Sequence, residues 1–271
     1  MTLLQSFLLG IVQGLTEFIP VSSTAHLLIA QKLLGIPAND AVFSFLILVQ
    51  WGTLVSLFIY FRDDLWQIAK ALFKNPLTAD PDSPTRLAWY LLIATLPALL
   101  IGYLLKDALE TLFATPLLAA SIRLFAAALL LALAEHYGRR VRDIGQMTWL
   151  DSLIIGLFQV FAVFPGASRS GSTIAGGMLR GFTRKAAARF AFLMSIPVML
   201  AAGAYESLDL LHMSGLSDFL PVLLLGFLTA ALVGWIAIRW LMNYLSQHSL
   251  YSFALYCAAL GTIVFGFYLL G

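Results

Sequence analysis

Two short polar stretches, residues 17–26 and 165–173, contain the side chains of this sequence that are best suited to chemistry. The first has a carboxylate, three consecutive hydroxyl groups and an imidazole, and the second has a guanidinium group among glycines and serines. Both interrupt strongly apolar sequence. Polar groups are costly inside a membrane, and those that occur there usually have a function. Each stretch also contains a helix-ending proline. We therefore expect both stretches to line a functional cavity that water can reach.

Glu17 is the first candidate catalytic residue. It follows Gln13 by four positions, so the two side chains share one face of a helix, which Pro20 then ends. A carboxylate here can bind a divalent cation such as Mg²⁺ or Ca²⁺, or it can act as a general base. The alternative is a structural pair between Glu17 and Arg169. Because intramembrane acids are usually functional, Glu17 is predicted to be catalytic and to bind metal, and Gln13 to bind substrate.

Three hydroxyl residues, Ser22, Ser23 and Thr24, follow the proline and begin the next helix. A hydroxyl at such a position commonly caps the helix, whose free N–H groups can bind an anion. One cap does not account for several hydroxyl groups beside a carboxylate and His26. Ser23 and His26 are therefore predicted to be catalytic, as a nucleophile with an adjacent base, and Ser22 and Thr24 to bind substrate. For His26, a structural role is the alternative.

Arg169 is the most informative residue of the second stretch, because its planar guanidinium fork matches phosphate oxygens. We predict that it is catalytic. Glycine beside it lets the backbone approach a ligand closely, and the flanking hydroxyl groups can donate hydrogen bonds. The alternative is a buried ion pair with Glu17. The residues predicted to bind the phosphate or diphosphate together with Arg169 are Gly166, Ser168, Ser170 and Thr173.

The composition identifies an integral membrane protein. Of 271 residues, 61% are hydrophobic and 11% are charged, and the mean hydropathy is +0.90, whereas about 25% of the residues in a soluble protein are charged. A net charge of +2 without a basic stripe predicts no nucleic-acid partner. With the single cysteine Cys257, no disulfide forms within the chain. Six apolar segments have about the 20 residues that cross a bilayer: 41–61, 87–105, 116–134, 186–208, 219–242 and 250–270.

A weak internal repeat divides the chain. Residues 10–13, Gly-Ile-Val-Gln, resemble residues 156–159, Gly-Leu-Phe-Gln, and a proline and a serine-rich turn follow both segments. We therefore predict one membrane domain, 1–271, with repeat one at 1–134 and repeat two at 149–271. The fold class is an all-α polytopic membrane protein with about six transmembrane helices and two re-entrant helical hairpins.

The hairpins, residues 3–34 and 149–180, each begin a repeat, and three transmembrane helices follow each one. A re-entrant hairpin leaves the orientation of the chain unchanged, whereas three spans reverse it. The two repeats are therefore predicted to be inverted, with their hairpin tips meeting near the middle of the membrane. Discontinuous helices in inverted repeats recur at intramembrane sites.

The charges of the loops predict which face is cytoplasmic, because basic residues accumulate there. In this topology only Lys32 and Lys106 fall on the opposite face, which also carries several acidic residues. Both chain termini and the opening of the active site are therefore predicted to be extracytoplasmic. The basic residues on the cytoplasmic face are Arg62, Lys70, Lys74, Arg86, Arg139, Arg140, Arg142, Arg180, Arg184, Lys185, Arg189 and Arg239.

The two motifs resemble those of the bacterial undecaprenyl-diphosphate phosphatases, also called bacitracin-resistance proteins. One family motif matches Gln13–Glu17 and continues through Pro20 to Thr24, and a second, more specific one matches Pro165–Thr173. The resemblance covers essentially the whole chain. It implies a multi-pass protein of the bacterial plasma membrane that removes the terminal phosphate of undecaprenyl diphosphate. This reaction recycles the lipid carrier for peptidoglycan synthesis and depends on divalent cations.

Position by position, the resemblance implies that Glu17, Ser23, His26 and Arg169 are functional. Two departures from the family pattern are visible. Gln13 occupies a position where a glutamate would supply a further metal ligand, which leaves the number of carboxylates at the metal open. Ala25 replaces the usual glycine before His26 and reduces the backbone freedom there.

The hypothesis is a metal-assisted hydrolase whose partners are a polyprenyl diphosphate and the surrounding membrane lipid; homo-oligomerisation stays open. Ser23 attacks the terminal phosphorus while His26 or Glu17 accepts its proton, or else Glu17 activates a water molecule. A secondary transporter or flippase is the main alternative, because inverted repeats with broken helices are typical of transporters. A non-enzymatic lipid-binding scaffold is disfavoured by the clustered reactive side chains.

Overall fold

The computed structural model describes residues 1–37, 39–76, 83–105, 116–163, 168–210 and 216–270. These residues form helices and no extended sheet, which confirms the predicted all-α class. A short 3₁₀-helix, Ile144–Gln146, lies in one loop. The α-helices of the described residues are α1 Leu3–Phe18, α2 Ser23–Leu33, α3 Asp40–Leu48, α4 Gln50–Tyr60, α5 Arg62–Lys74, α6 Pro84–Leu104, α7 Pro116–Tyr137, α8 Trp149–Val163, α9 Arg169–Leu179, α10 Arg184–Leu210, α11 Leu216–Tyr244 and α12 Tyr251–Leu269.

Five segments of the described residues are long and apolar enough to cross a membrane, and they match five of the six predicted spans. The first of them changes helix at Val49, between α3 and α4. The sixth predicted span, residues 186–208, lies within α10, which has 27 residues but is not among the five; as a span it stays a prediction. The protein is a multi-pass membrane protein whose five segments are Ala41–Tyr60, Pro84–Leu104, Leu117–Tyr137, Phe219–Tyr244 and Tyr251–Leu269.

The first hairpin consists of α1 and α2. Thr2 begins it with a capping box, in which the Thr2 hydroxyl accepts from the Gln5 N–H and the Gln5 side chain accepts from the Thr2 N–H. The Gln5 Nε2 also donates to the carbonyl of Leu34, at the far end of the hairpin, at 3.1 Å. The first hairpin therefore begins and ends at the same side of the protein, as a re-entrant segment does.

The second hairpin, α8 and α9, is closed at its base by ion pairs. The carboxylate of Asp151, in the first turn of α8, is fully buried and pairs with Arg180 at the end of α9 and with Arg142 from the preceding loop, both at 2.7 Å. Burial opposes ionisation, but hydrogen bonds from Arg142, Thr148 and Arg180 outweigh it and hold the pKa of Asp151 well below its usual range. This hairpin, too, begins and ends at one side.

The two hairpins have matching local structure. Their second arms, α2 and α9, each contain 11 residues. Each arm is followed by a glycine with positive φ, Gly35 at 62° and Gly181 at 87°, a conformation that ends helices and favours glycine. These correspondences agree with an internal repeat, whereas the division into residues 1–134 and 149–271 stays a prediction.

Each hairpin packs against a helix from the other half of the chain. Helix α1 lies on α11, where a Cβ added at Gly10 would be 2.7 Å from the carbonyl oxygen of Gly226. Helix α8 lies on α6, where a Cβ added at Gly156 would be 2.5 Å from the carbonyl oxygen of Ala94. Small residues permit such close approach between helices in membranes. The two halves are therefore interlocked, with a hairpin of each held by the other.

We expect Gly10→Ala and Gly156→Ala to lower the thermal midpoint of the purified protein in detergent, because each added methyl group forces two helix backbones apart. Overpacking of this kind costs roughly 1–3 kcal/mol. Gly266→Ala is the matched control, since a Cβ at Gly266 would meet no atom within 4 Å; it should leave the midpoint unchanged or raise it. Equal midpoints for all three variants would contradict the close packing.

Candidate active site

Glu17 lies in the last turn of α1, at the tip of the first hairpin, and its side chain is 4% exposed. One carboxylate oxygen, Oε1, pairs with the guanidinium group of Arg169, the first residue of α9. The other oxygen, Oε2, accepts hydrogen bonds from Gln13 Nε2 and Ser23 Oγ, each at 2.8 Å. The two predicted polar stretches therefore meet, and one carboxylate joins the tips of both hairpins.

The turn between α1 and α2 has an unusual backbone. Ser22 has φ 71° and ψ 90°, in a region that non-glycine residues rarely occupy, and strained residues of this kind cluster at functional sites. Although Ser22 is the N-cap residue of α2, its side chain makes no capping hydrogen bond. The expectation that one hydroxyl here serves as a cap is therefore wrong for Ser22, whereas the next hydroxyl, on Ser23, faces Glu17.

His26 makes two hydrogen bonds, and within the described part of the chain neither is to the predicted nucleophile, Ser23. Its Nδ1 lies 2.9 Å from the carbonyl oxygen of Ser22, and its Nε2 lies 2.8 Å from the hydroxyl of Tyr256 on α12. Ser23 bonds to Glu17 instead. Of the two proton acceptors considered for Ser23, Glu17 is the one that the structure places in hydrogen-bond contact.

Arg169 presents unused donors beside the carboxylate. Its Nη2 contacts Glu17 and, at 3.3 Å, the sulfur of Met199 on α10. Among the described residues, no hydrogen bond uses its Nε or Nη1, and its side chain is 21% exposed. The guanidinium group is therefore accessible to an anion other than Glu17.

The remaining predicted substrate-binding residues that the structure describes lie near the hairpin tips. Most of them make hydrogen bonds within α9, and one is partly exposed on α2. Ser168 caps α9 by accepting from the Gly171 N–H at 3.2 Å, and its hydroxyl lies 3.2 Å from that of Ser170. The Thr173 hydroxyl donates to the Arg169 carbonyl at 2.8 Å. Thr24 is partly exposed in the first turn of α2. Gly166 lies outside the described residues.

The oxygen atoms at Glu17 suit a cation that takes most of its ligands from water and from substrate phosphates. In the described part of the chain, no three His, Cys, Asp or Glu residues cluster in a way that could hold a metal ion. Beside Glu17, however, Gln13 is fully buried and its Oε1 has no hydrogen-bond partner. One carboxylate and one amide oxygen suit Mg²⁺, which commonly binds one or two protein oxygens together with water and substrate phosphates.

Two side chains at the site were not predicted, Tyr256 and Met199. Both come from helices remote in sequence, α12 and α10. Each stands in an ordinary apolar span, where no neighbouring polar residue marks it. Only the packing of these helices on the hairpin tips shows their position.

The fold and the site define a polytopic helical membrane protein with a Glu–Ser–Arg cluster at the tips of two helical hairpins. The model of the family "Bacitracin resistance protein BacA" matches residues 6–263. An undecaprenyl-diphosphatase of Alkaliphilus metalliredigens is 42% identical over 278 residues, covering 100% of both chains. One from Mycobacterium sp. (strain KMS) is 41% identical over 269 residues, covering 97% of this chain and 96% of the relative. The chain belongs to the bacitracin resistance protein BacA family.

We expect Gln13→Glu to increase the affinity of the detergent-solubilised protein for Mn²⁺, used as a paramagnetic substitute for Mg²⁺, by about tenfold or more, because it adds a second carboxylate beside Glu17. Gln13→Met, which removes Oε1, should weaken binding. Gln5→Glu, near the start of the same helix, is the control. The readout is the electron paramagnetic resonance signal of free Mn²⁺ during titration. An affinity that does not respond to residue 13 would contradict the assignment of Glu17 and Gln13 as ligands.

Proposed function

We propose that this protein hydrolyses undecaprenyl diphosphate to undecaprenyl phosphate and inorganic phosphate, and so recycles the lipid carrier for peptidoglycan synthesis. The observation that carries the proposal is the contact between Glu17 of one hairpin and Arg169 of the other, with the Ser23 hydroxyl bonded to the same carboxylate. The cluster thus contains groups suited to act as a base, a nucleophile and an anion-binding group, which supports the proposal. The relatives named undecaprenyl-diphosphatase favour hydrolysis over transport.

Arg169 binds the diphosphate in this mechanism. In the substrate-free arrangement its guanidinium neutralises Glu17, and its Nε and Nη1, which bond to none of the described residues, are available to an incoming anion. A diphosphate competes with the carboxylate for the guanidinium fork, whose geometry suits phosphate oxygens. Binding of substrate therefore releases Glu17 Oε1 from the ion pair, while Oε2 keeps its hydrogen bond from Ser23.

Ser23 is the nucleophile. Its oxygen attacks the terminal phosphorus, the bond from this phosphorus to the bridging oxygen breaks, and undecaprenyl phosphate leaves with that oxygen. The serine proton passes to Glu17 Oε2, to which the hydroxyl already donates at 2.8 Å. Glu17 passes this proton to the phosphate oxygen of the departing undecaprenyl phosphate. Water then attacks the phosphorus of the phosphoserine and gives one proton to Glu17; the bond from phosphorus to Ser23 Oγ breaks, Glu17 returns the proton to Oγ, and inorganic phosphate leaves.

A divalent cation, Mg²⁺ or Ca²⁺, completes the proposed site. The residues that would hold it are Glu17 and Gln13, and it supplies charge neutralisation for the phosphate oxygens. Arg169 contributes to the same electrostatic stabilisation from the second hairpin.

The site is proposed to open on the extracytoplasmic side of the bacterial plasma membrane, the side of both termini. The support is the position of the basic residues. Arg142, Arg180 and Arg184 lie together with the base of the second hairpin, and basic residues mark the cytoplasmic face. The first hairpin, whose tip meets that of the second, then has its base on the opposite face.

Replacement of Glu17 or Arg169 tests the function directly. We expect Glu17→Gln and Arg169→Ala to lower phosphate release from undecaprenyl diphosphate by roughly 10²–10⁴-fold, because they remove the base and an electrostatic stabiliser. The matched controls are Asp63→Asn and Arg62→Ala, since these side chains are 86% and 76% exposed. If the wild-type protein released no phosphate with Mg²⁺ or Ca²⁺ but moved substrate across the membrane of liposomes, the proposal of hydrolysis would be wrong and transport would be the function.

Trapping of the covalent intermediate tests the nucleophile. We expect substrate labelled in its terminal phosphate to leave label on the wild-type protein after rapid acid quenching, and peptide mapping to locate it on Ser23. Ser23→Ala should abolish labelling, whereas Ser246→Ala, an exposed serine between α11 and α12, should not. Turnover without label under any quench time would instead favour a water molecule activated by Glu17.

A further inference from the structure

Helix α12 contacts the turn of the first hairpin through two consecutive residues. The Tyr256 hydroxyl lies 2.8 Å from His26 Nε2, and the two rings are stacked with centroids 5.7 Å apart and planes at 10°. The next residue, Cys257, places its sulfur 4.0 Å from the carbonyl oxygen of Pro20. This helix therefore forms a wall of the site, although it contains none of the motif residues.

The hydrogen bonds of His26 determine its tautomer. The Ser22 carbonyl can only accept, so the imidazole Nδ1, at 2.9 Å, carries the proton. In the neutral imidazole Nε2 is then an acceptor, and the Tyr256 hydroxyl donates to it. Both ring nitrogens are used, and neither contacts Ser23.

We propose, on the basis of the hydrolysis proposed above, that Tyr256 is a positioning residue that fixes the orientation and the tautomer of His26. The charged and titratable groups at this corner are Glu17 and Arg169, which pair with each other, and Cys257. With His26 held by Tyr256 on one side and by Ser22 on the other, Glu17 is the base for Ser23. Through its bond to the Ser22 carbonyl, His26 holds the strained turn that directs Ser23 toward Glu17.

The test measures whether Tyr256 acts through His26. Tyr256→Phe keeps the stacked ring and removes the hydroxyl, so kcat should fall about five- to tenfold, the effect of one hydrogen bond, with KM unchanged. In a His26→Ala background the same substitution should have no further effect, because the group that it positions is gone. Tyr251→Phe is the control, since Tyr251 lies on the same helix and both side chains are 46% exposed.

A second measurement does not depend on activity. The protein has four histidines, so ¹⁵N-histidine spectra can be assigned to His26 with His26→Gln. We expect a protonated Nδ1 and an unprotonated Nε2 in the wild type, and an Nε2 signal that moves in Tyr256→Phe but not in Tyr251→Phe.

An unchanged Nε2 signal, or equal losses of kcat with and without His26, would overturn the proposal and leave Tyr256 a packing residue. An unchanged kcat in Tyr256→Phe would overturn it as well. Wild-type protein that fails to release phosphate would instead refute the proposed function, while the spectra would still decide whether Tyr256 holds His26.

Discussion

The contact between Glu17 and Arg169 is the interaction on which the rest of the structure depends. Removing two charges from water costs several kcal/mol for each ion, and this cost is offset only when the pair has good geometry and further hydrogen bonds. Gln13 and Ser23 supply such bonds to the carboxylate. Because the partners lie on different hairpins, the pair exists only when both tips reach the same point. The interlocked packing of α1 on α11 and of α8 on α6 brings the tips there.

The structural and the catalytic interpretations of this pair are compatible. In the substrate-free protein Arg169 acts as a counterion for an otherwise uncompensated carboxylate. In the proposed mechanism a diphosphate, whose oxygens suit the same guanidinium fork, replaces Glu17 as the partner of Arg169, while Gln13 and Ser23 remain hydrogen-bonded to the carboxylate. The exchange also links substrate binding to the release of the base. A buried ion pair contributes little to stability. This one keeps the Glu17 carboxylate neutralised until substrate binds.

Local signals in the sequence predicted the hairpins and the meeting of their tips, because proline, glycine and clustered polar residues are unmistakable against an apolar background. Long-range packing decided the remainder. The sequence did not indicate which of Ser22, Ser23 and Thr24 faces Glu17, since this depends on the positive φ of Ser22. Tyr256 and Met199 carry no motif, and their roles follow only from how α12 and α10 pack. The span predicted at 186–208 lies within α10 and stays a prediction.

The interlocking of the two halves has a consequence for biogenesis. Helix α1 leaves the ribosome well before its main partner, α11. Until α9 and α11 are made, Glu17 lacks Arg169 and the glycine-lined face of α1 lacks its partner helix, and contacts distant in sequence form slowly. The first hairpin must therefore wait at the membrane or at the insertion machinery while most of the chain is synthesised. Truncated chains would then lack the reactive centre altogether, so the cell would not meet a half-built hydrolase.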